Sequence, residues 1–184
     1  MKILIVGGGI AGLSLAAFLE KEGVPYELLE KESGYSRNGY LGSIWENGRN
    51  MLYKLGLGEK FDKIATPITT YSLRTATGKK IKDYDFSRFF SIGAVVFSIE
   101  RHRLHEWLLD LVPQSKIKFG TTLSSLKETE RGIEVTLSTG EKPHYDMVVG
   151  ADGMNSLVRT LLFKKEYKSY KEWRIWYGWI EHSF

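Results

Sequence analysis

Residues Gly7 to Gly12 read GGGIAG, and Glu30 closes the apolar run Tyr26-Glu27-Leu28-Leu29 that follows. Glycines and an acid in this order suit the adenosine half of a dinucleotide. Gly7 permits a tight turn, and Gly9 has no side chain to hold the backbone away from a pyrophosphate. Gly12 lets a helix pack close to a strand. The free N–H groups and positive end of that helix would face the phosphates, and the Glu30 carboxylate would accept hydrogen bonds from ribose hydroxyls. The elements that must position these groups are legible around them. Ile3-Leu4-Ile5-Val6 is a strand, and Leu13 to Glu22 is an amphipathic helix with Leu13, Ala16, Ala17 and Leu19 near one face, stopped by Gly23 and Pro25.

A second constellation, VVGADGMNSLVR, spans residues 148–159. Tyr145 to Val149 is apolar on both faces, as in a covered parallel sheet. It runs into Gly150-Ala151-Asp152-Gly153 and a short helix through Arg159, with Ser156 and Arg159 about one turn apart. Asp152 and the amides after Gly153 stand where a polar ligand would meet the carboxyl ends of the sheet. Asp152 equally suits a plain cap on the helix that follows.

Composition narrows the function classes. The 184 residues are 42% hydrophobic and 26% charged, with a net charge of +4 and no cysteine. These values fit one soluble domain or slightly more, without disulfides or thiolate chemistry. Lys2 and the apolar run to Leu19 outline a secretory leader, but the glycines and the charged Glu20-Lys21-Glu22 fit a folded N-terminus better. No stretch reaches membrane-spanning length. The late cluster Lys164, Lys165, Lys168, Lys171 and Arg174, mixed with Glu166 and Glu172, reads as a solvated surface without a nucleic-acid motif. His102, His105, His144 and His182 show no metal spacing, and His102 and His105 read as surface residues of a helix.

Between the two constellations the pattern predicts a long loop over residues 31–46 and a helix capped by Asn47, with Met51, Leu52 and Leu55 as its apolar stripe and Gly56 as its stop. A hairpin, Thr70 to Thr75 and Lys80 to Tyr84, turns at Thr77-Gly78, and Ala94 to Ser98 is a short strand. Arg101 to Leu111 is a helix burying Leu104, Trp107, Leu108 and Leu111. Lys116 to Phe119, Thr122 to Glu128 and Ile133 to Ser138 form a compact β region, with Thr139-Gly140 as a hairpin turn.

Four segments together resemble the N-terminal half of the FAD-dependent aromatic hydroxylase family, which includes para-hydroxybenzoate hydroxylase. They are GGGIAG with Glu30, GYLGSIWENGRNMLYKLGLGEKF (Gly39 to Phe61), ERHRLHEWLLDLV (Glu100 to Val112) and ADGMNSLVR (Ala151 to Arg159). Where the family commonly has proline before the asparagine of the second segment, this chain has Glu46 before Asn47. The family's later glycine-aspartate motif lies beyond Phe184. The resemblance implies an α/β fold: a Rossmann-like FAD/NAD(P)-binding domain with a parallel sheet, a β-meander and the start of a substrate-domain β-sheet. That assigns residues 1–163 to the FAD-binding domain, with 66–98 contributing strands toward the substrate domain, and 164–184 to the beginning of the substrate sheet.

The same resemblance implies FAD as cofactor, NADPH or NADH as co-substrate, and hydroxylation or epoxidation of a small, aromatic compound with O₂ in the cytoplasm. The cofactor residues it implies are Gly7, Gly9, Ile10, Ala11, Gly12, Glu30, Lys31, Arg37, Ser43, Arg101, Asp152 and Gly153. No metal and no protein nucleophile are implied, because the cofactor carries the redox chemistry. The hydroxylase reading takes the chain as a fragment or as complemented by a C-terminal chain. An alternative of another class is a non-catalytic nucleotide-binding module that self-associates through the aromatic segment Trp173 to Ile180. A nicotinamide-dependent dehydrogenase domain would account for Glu30 but not for the Arg101 helix or the Ala151 to Arg159 segment.

Overall fold

The computed structural model describes residues 1–35, 41–92 and 95–164. In chain order these form β1 (Ile3–Val6), α1 (Ile10–Lys21), β2 (Tyr26–Glu30), β3 (Leu41–Trp45), α2 (Glu46–Lys54), α3 (Gly58–Ile64), β4 (Thr66–Pro67), β5 (Thr70–Arg74) and β6 (Lys80–Asp85). They continue with β7 (Val96–Glu100), α4 (Arg101–Asp110), β8 (Ile117–Phe119), β9 (Leu123–Thr129), β10 (Gly132–Leu137), β11 (His144–Tyr145), β12 (Met147–Gly150) and α5 (Leu157–Phe163). The described residues divide into one compact unit of 1–35 with 104–164 and another of 41–92 with 95–103, the division falling inside α4.

The first unit is built on a parallel sheet in the order β12-β1-β2-β8. Ile5 lies opposite Leu28 on one side and Val149 on the other. Strand periodicity sends alternate residues of β1 to opposite faces. Leu4 and Val6 join Leu29, Leu123, Val135, Leu137, Tyr145 and Val158 in one core, which packs the sheet against the meander β11-β10-β9 and α5. Ile3, Ile5 and Leu28 point to the other face, and α1 lies along β1 and β2 with Leu13, Ala16 and Ala17 buried. At about 25 cal/mol per Å² of apolar surface removed from water, each buried Leu or Ile contributes roughly 1.5–3 kcal/mol.

Several boundaries differ from the sequence expectation. The first helix begins at Ile10, not Leu13, because the Leu13 N–H already reaches the Gly9 carbonyl at 2.9 Å. The segment ending at Phe119 pairs in parallel with β2, so it belongs to the main sheet and not to the compact antiparallel region. β12 is parallel as expected but sits at the sheet edge with Met147 46% exposed, so it is less covered than its sequence suggests. The last described helix runs past Arg159 to Phe163. The turn at Thr139-Gly140 is present, with Gly140 at φ +89° between β10 and β11.

In the second unit β7 pairs antiparallel with both β3 and β4, and β5 and β6 form a separate hairpin with Tyr71 opposite Tyr84. The expected loop over 31–46 therefore contains a strand, whose alternation Leu41, Ser43, Trp45 outward is masked by small and polar neighbours. Asn47 does not cap α2. The helix starts at Glu46, and the Asn47 Oδ1 accepts the adjacent Gly48 N–H at 2.8 Å. Only Leu52 of α2 is buried, while Met51 is 45% exposed. Gly56 does end the turn after α2, with φ +76°. The strand expected over Ala94 to Ser98 runs from Val96 to Glu100, and Ala94 lies outside the described residues.

Candidate functional site

The turn after β1 is fixed peptide by peptide. The Gly7 N–H donates to the Leu29 carbonyl at 2.8 Å, tying the turn to β2. Gly7 has φ +106°, and a Cβ there would lie 2.5 Å from the Ala151 carbonyl oxygen, so both conformation and space demand glycine. A Cβ on Gly12 would fall on the Gly7 carbonyl oxygen and 3.4 Å from the Ala151 Cβ. The close approach at Gly12 is thus to the turn and the Ala151 segment. Gly8 is constrained as well: its Cβ would lie 2.7 Å from the Tyr35 hydroxyl and 2.9 Å from Glu30 Oε2. Gly9 differs from all three, since its Cβ would meet nothing within 4 Å. It precedes α1 with no side-chain cap, and no acid stands in the helix's first turn. The first turn of α1 therefore supplies no acid of its own to offset the helix's positive end.

Glu30, the last residue of β2, turns its carboxylate into this turn. Its Oε2 accepts the Gly8 N–H at 2.7 Å and its Oε1 accepts the Glu32 N–H at 2.9 Å. The neighbouring Lys31 stands at the surface, 3.7 Å from Glu32. Across the sheet, Asp152 takes the capping role that the sequence offered. Its Oδ2 accepts the N–H groups of Leu157 and Val158 at 2.7 and 3.1 Å, and its Oδ1 accepts the Ser156 hydroxyl at 2.5 Å. Ser156 in turn accepts the Arg159 N–H at 3.0 Å, so the start of α5 is doubly capped.

Asp152 also walls a cleft of about 200 Å³ at the carboxyl ends of β1, β2 and β12, together with Val6, Gly7, Gly9, Leu29, Glu30, Lys31, Thr122, Ala151 and Gly153. The fold thus gathers Gly7, Gly9, Glu30, Lys31, Asp152 and Gly153 around one opening. Ile10, Ala11 and Gly12 form the first turn of α1 behind it. Ser43 and Arg101 belong to the second unit, Ser43 opposite Ser98 in the β3–β7 pair and Arg101 at the head of α4. Arg37 lies outside the described residues, as does the Trp173 to Ile180 segment.

Two residues of this region were not legible in the sequence. His105, expected at the surface, is 9% exposed, and its Nε2 lies 2.8 Å from the Gly8 carbonyl oxygen. Leu104 and Leu108 on the same face are the signal that would have placed it inside. His102, by contrast, is half-exposed beside Glu100, with Nε2 3.3 Å from Oε2. Tyr35 packs edge-on against His105 and Phe119, with ring centroids 4.5 and 5.0 Å away. Its hydroxyl is buried without a hydrogen-bond partner among the described residues, and burial, aided by the Glu30 charge, pushes it up to about 12.

The FAD binding domain family matches residues 1–175. FAD-dependent monooxygenase prhF of Penicillium brasilianum is 30% identical over 172 residues, covering 89% of this chain and 35% of its own length. The crystal structure of tetracycline destructase Tet(51) superposes with TM-score 0.68 at 26% identity, covering 89% of this chain and 42% of that one. Klebsiella pneumoniae HpxO, solved with FAD and uric acid, shares the fold with TM-score 0.72 at 24% identity, over 87% of this chain and 41% of its own. The chain spans about a third of the length of the curated relatives it matches, among them several FAD-dependent monooxygenases. From its glycine turn to the Asp152 segment, the chain belongs to the FAD binding domain family.

Proposed function

We propose that this chain holds FAD in the cleft beside α1 and is the cofactor-bearing part of a monooxygenase. The observation that carries this reading is the open space at Gly9 before an uncapped helix start, on a cleft shared with Glu30. The donor set fits a pyrophosphate: backbone amides from Gly9, Ile10, Ala11 and Gly12, turned by Gly7, with no acid in the helix's own first turn. Glu30 spends one acceptor position per oxygen on the Gly8 and Glu32 amides, and a carboxylate keeps further lone pairs for ribose hydroxyls. Lys31, Asp152 and Gly153 line the rest of the opening, and Arg37, Ser43 and Arg101 are the further cofactor residues of the proposal. Bound flavin supplies the redox chemistry; this chain binds, orients and shields it.

The proposed activity uses NADH or NADPH and O₂ to hydroxylate or epoxidise a small aromatic compound in the cytoplasm. Association with a second copy, or with a chain that supplies the substrate side, is part of the proposal. Among the described residues no helix is long and apolar enough to cross a membrane. Titration with FAD tests the binding step: saturable uptake with a flavin absorption band is expected, and a colourless protein that ignores FAD sinks it. Flavin-dependent NADPH oxidation stimulated by a phenol tests turnover. FAD binding without such oxidation would leave only a nucleotide-binding module.

A further inference from the structure

The glycine run that opens the cleft has a mechanical weakness. Rotating the peptide plane between Gly8 and Gly9 changes only torsions that belong to glycine, which tolerates both orientations. Its neighbours are clamped: Glu30 holds the Gly8 N–H at 2.7 Å, and the Leu13 N–H holds the Gly9 carbonyl at 2.9 Å. The clamp on the Gly8–Gly9 plane is His105, whose Nε2 lies 2.8 Å from the Gly8 oxygen. A carbonyl oxygen only accepts, so Nε2 carries the proton and donates. All peptides described are trans, so the Gly9 N–H points opposite to the Gly8 carbonyl, away from His105. Gly9 lines the cleft, where its α-carbon faces open space.

We infer that His105 is a positioning residue: its imidazole fixes the Gly8–Gly9 plane so that the Gly9 N–H faces the ligand's pyrophosphate. This rests on the dinucleotide reading of the cleft. The ring is buried and braced by the edge-on contact with Tyr35, so the donor does not wander. Removing it leaves the Gly8 carbonyl unpaired and the plane free to turn its oxygen toward the phosphates, where it would repel them. The consequence is confined to the phosphate part of the ligand, since the ribose is assigned to Glu30.

The test titrates ADP and adenosine into the whole chain and into His105→Phe and His105→Gln. Phenylalanine keeps the ring contact with Tyr35 without the donor, whereas the glutamine amide donates from nearly the same place. His105→Phe is expected to lose ADP affinity roughly ten-fold with adenosine affinity unchanged, and His105→Gln to recover most of it. Equal losses for both ligands, or none, would overturn the role while leaving the dinucleotide reading intact. An unaltered chain that takes up neither ligand overturns that reading and this role together. Should the Phe variant fail to fold, NMR of the ring nitrogens in the unaltered protein decides: a proton on Nε2 is expected, and a neutral ring protonated only on Nδ1 overturns the inference.

Discussion

The Glu30 carboxylate grips the Gly8 amide at 2.7 Å, so the acid that ends the second strand also holds the turn that follows the first. A single side chain thereby couples the end of the second strand to the first βα turn, two segments separate in sequence. Glu30→Gln keeps the size but presents an NH₂ group toward either the Gly8 or the Glu32 amide. We expect ADP affinity to fall by about 1–3 kcal/mol, read by calorimetric titration. An unchanged affinity would remove Glu30 from the site.

Gly9 and Gly12 separate the proposed ligand space from protein packing. At Gly9 a methyl group meets no atom within 4 Å and the backbone is in an ordinary region, φ −75°. Gly9→Ala should therefore cost the fold no more than about 1 kcal/mol but lower ADP affinity roughly ten-fold by crowding the phosphates. Gly12→Ala places its methyl on the Gly7 carbonyl and should destabilise the fold by about 1–3 kcal/mol. Urea unfolding and ADP titration of both variants check the contrast. The reverse pattern would mean that the cleft is not the ligand site.

Among the described residues the buried Tyr35 hydroxyl has no hydrogen-bond partner to offset its desolvation. Tyr35→Phe should be neutral or stabilising by up to about 1 kcal/mol in urea unfolding. The folded hydroxyl sits at about 12, above its unfolded value near 10. Its contribution is complete below that unfolded value and fades as pH rises through the folded one. Tyr26 and Tyr145 are raised in the same direction, by burial first and then by Glu20 and Glu27, so the variant removes only part of the alkaline loss. A variant less stable than the parent at neutral pH contradicts this account.

In the second unit Arg49 joins α2 to α3 through Asp62, with its Nη2 and Nε at 2.8 and 2.9 Å from the carboxylate, and Tyr53 donates to the same group. The Arg49 hydrogen bonds first, then that of Tyr53, hold the Asp62 carboxyl below its ordinary range. A lowered folded value means stabilisation present above the unfolded carboxylate value near 4 and lost as pH falls through the folded value. Asp62→Asn should therefore flatten the acid limb of a melting-temperature profile recorded from pH 6 downward. The pair is substantially solvated, so the change is small. An acid limb identical to the parent would show that Asp62 titrates alike folded and unfolded.

Local chemistry made the first βα turn legible: three glycines after an apolar run, then a helix and an acid, admit few other arrangements. The same holds for the Asp152 turn and for Gly56, Gly78 and Gly140, whose positive φ values suit only glycine well. Sequence alone therefore determined the glycine turn, the helix behind it and the hairpins. Burial and long-range pairing were decided elsewhere. Phe119 became part of the parallel sheet because β2 offered it an open edge, and Asn47 lost its capping place because Trp45, paired with Val96, carried the strand up to Glu46. His105 shows the same limit most plainly. Nothing in its helix names Gly8 as its partner; only the tertiary fold, which lays α4 beside a turn far away in sequence, gives that imidazole a carbonyl to hold.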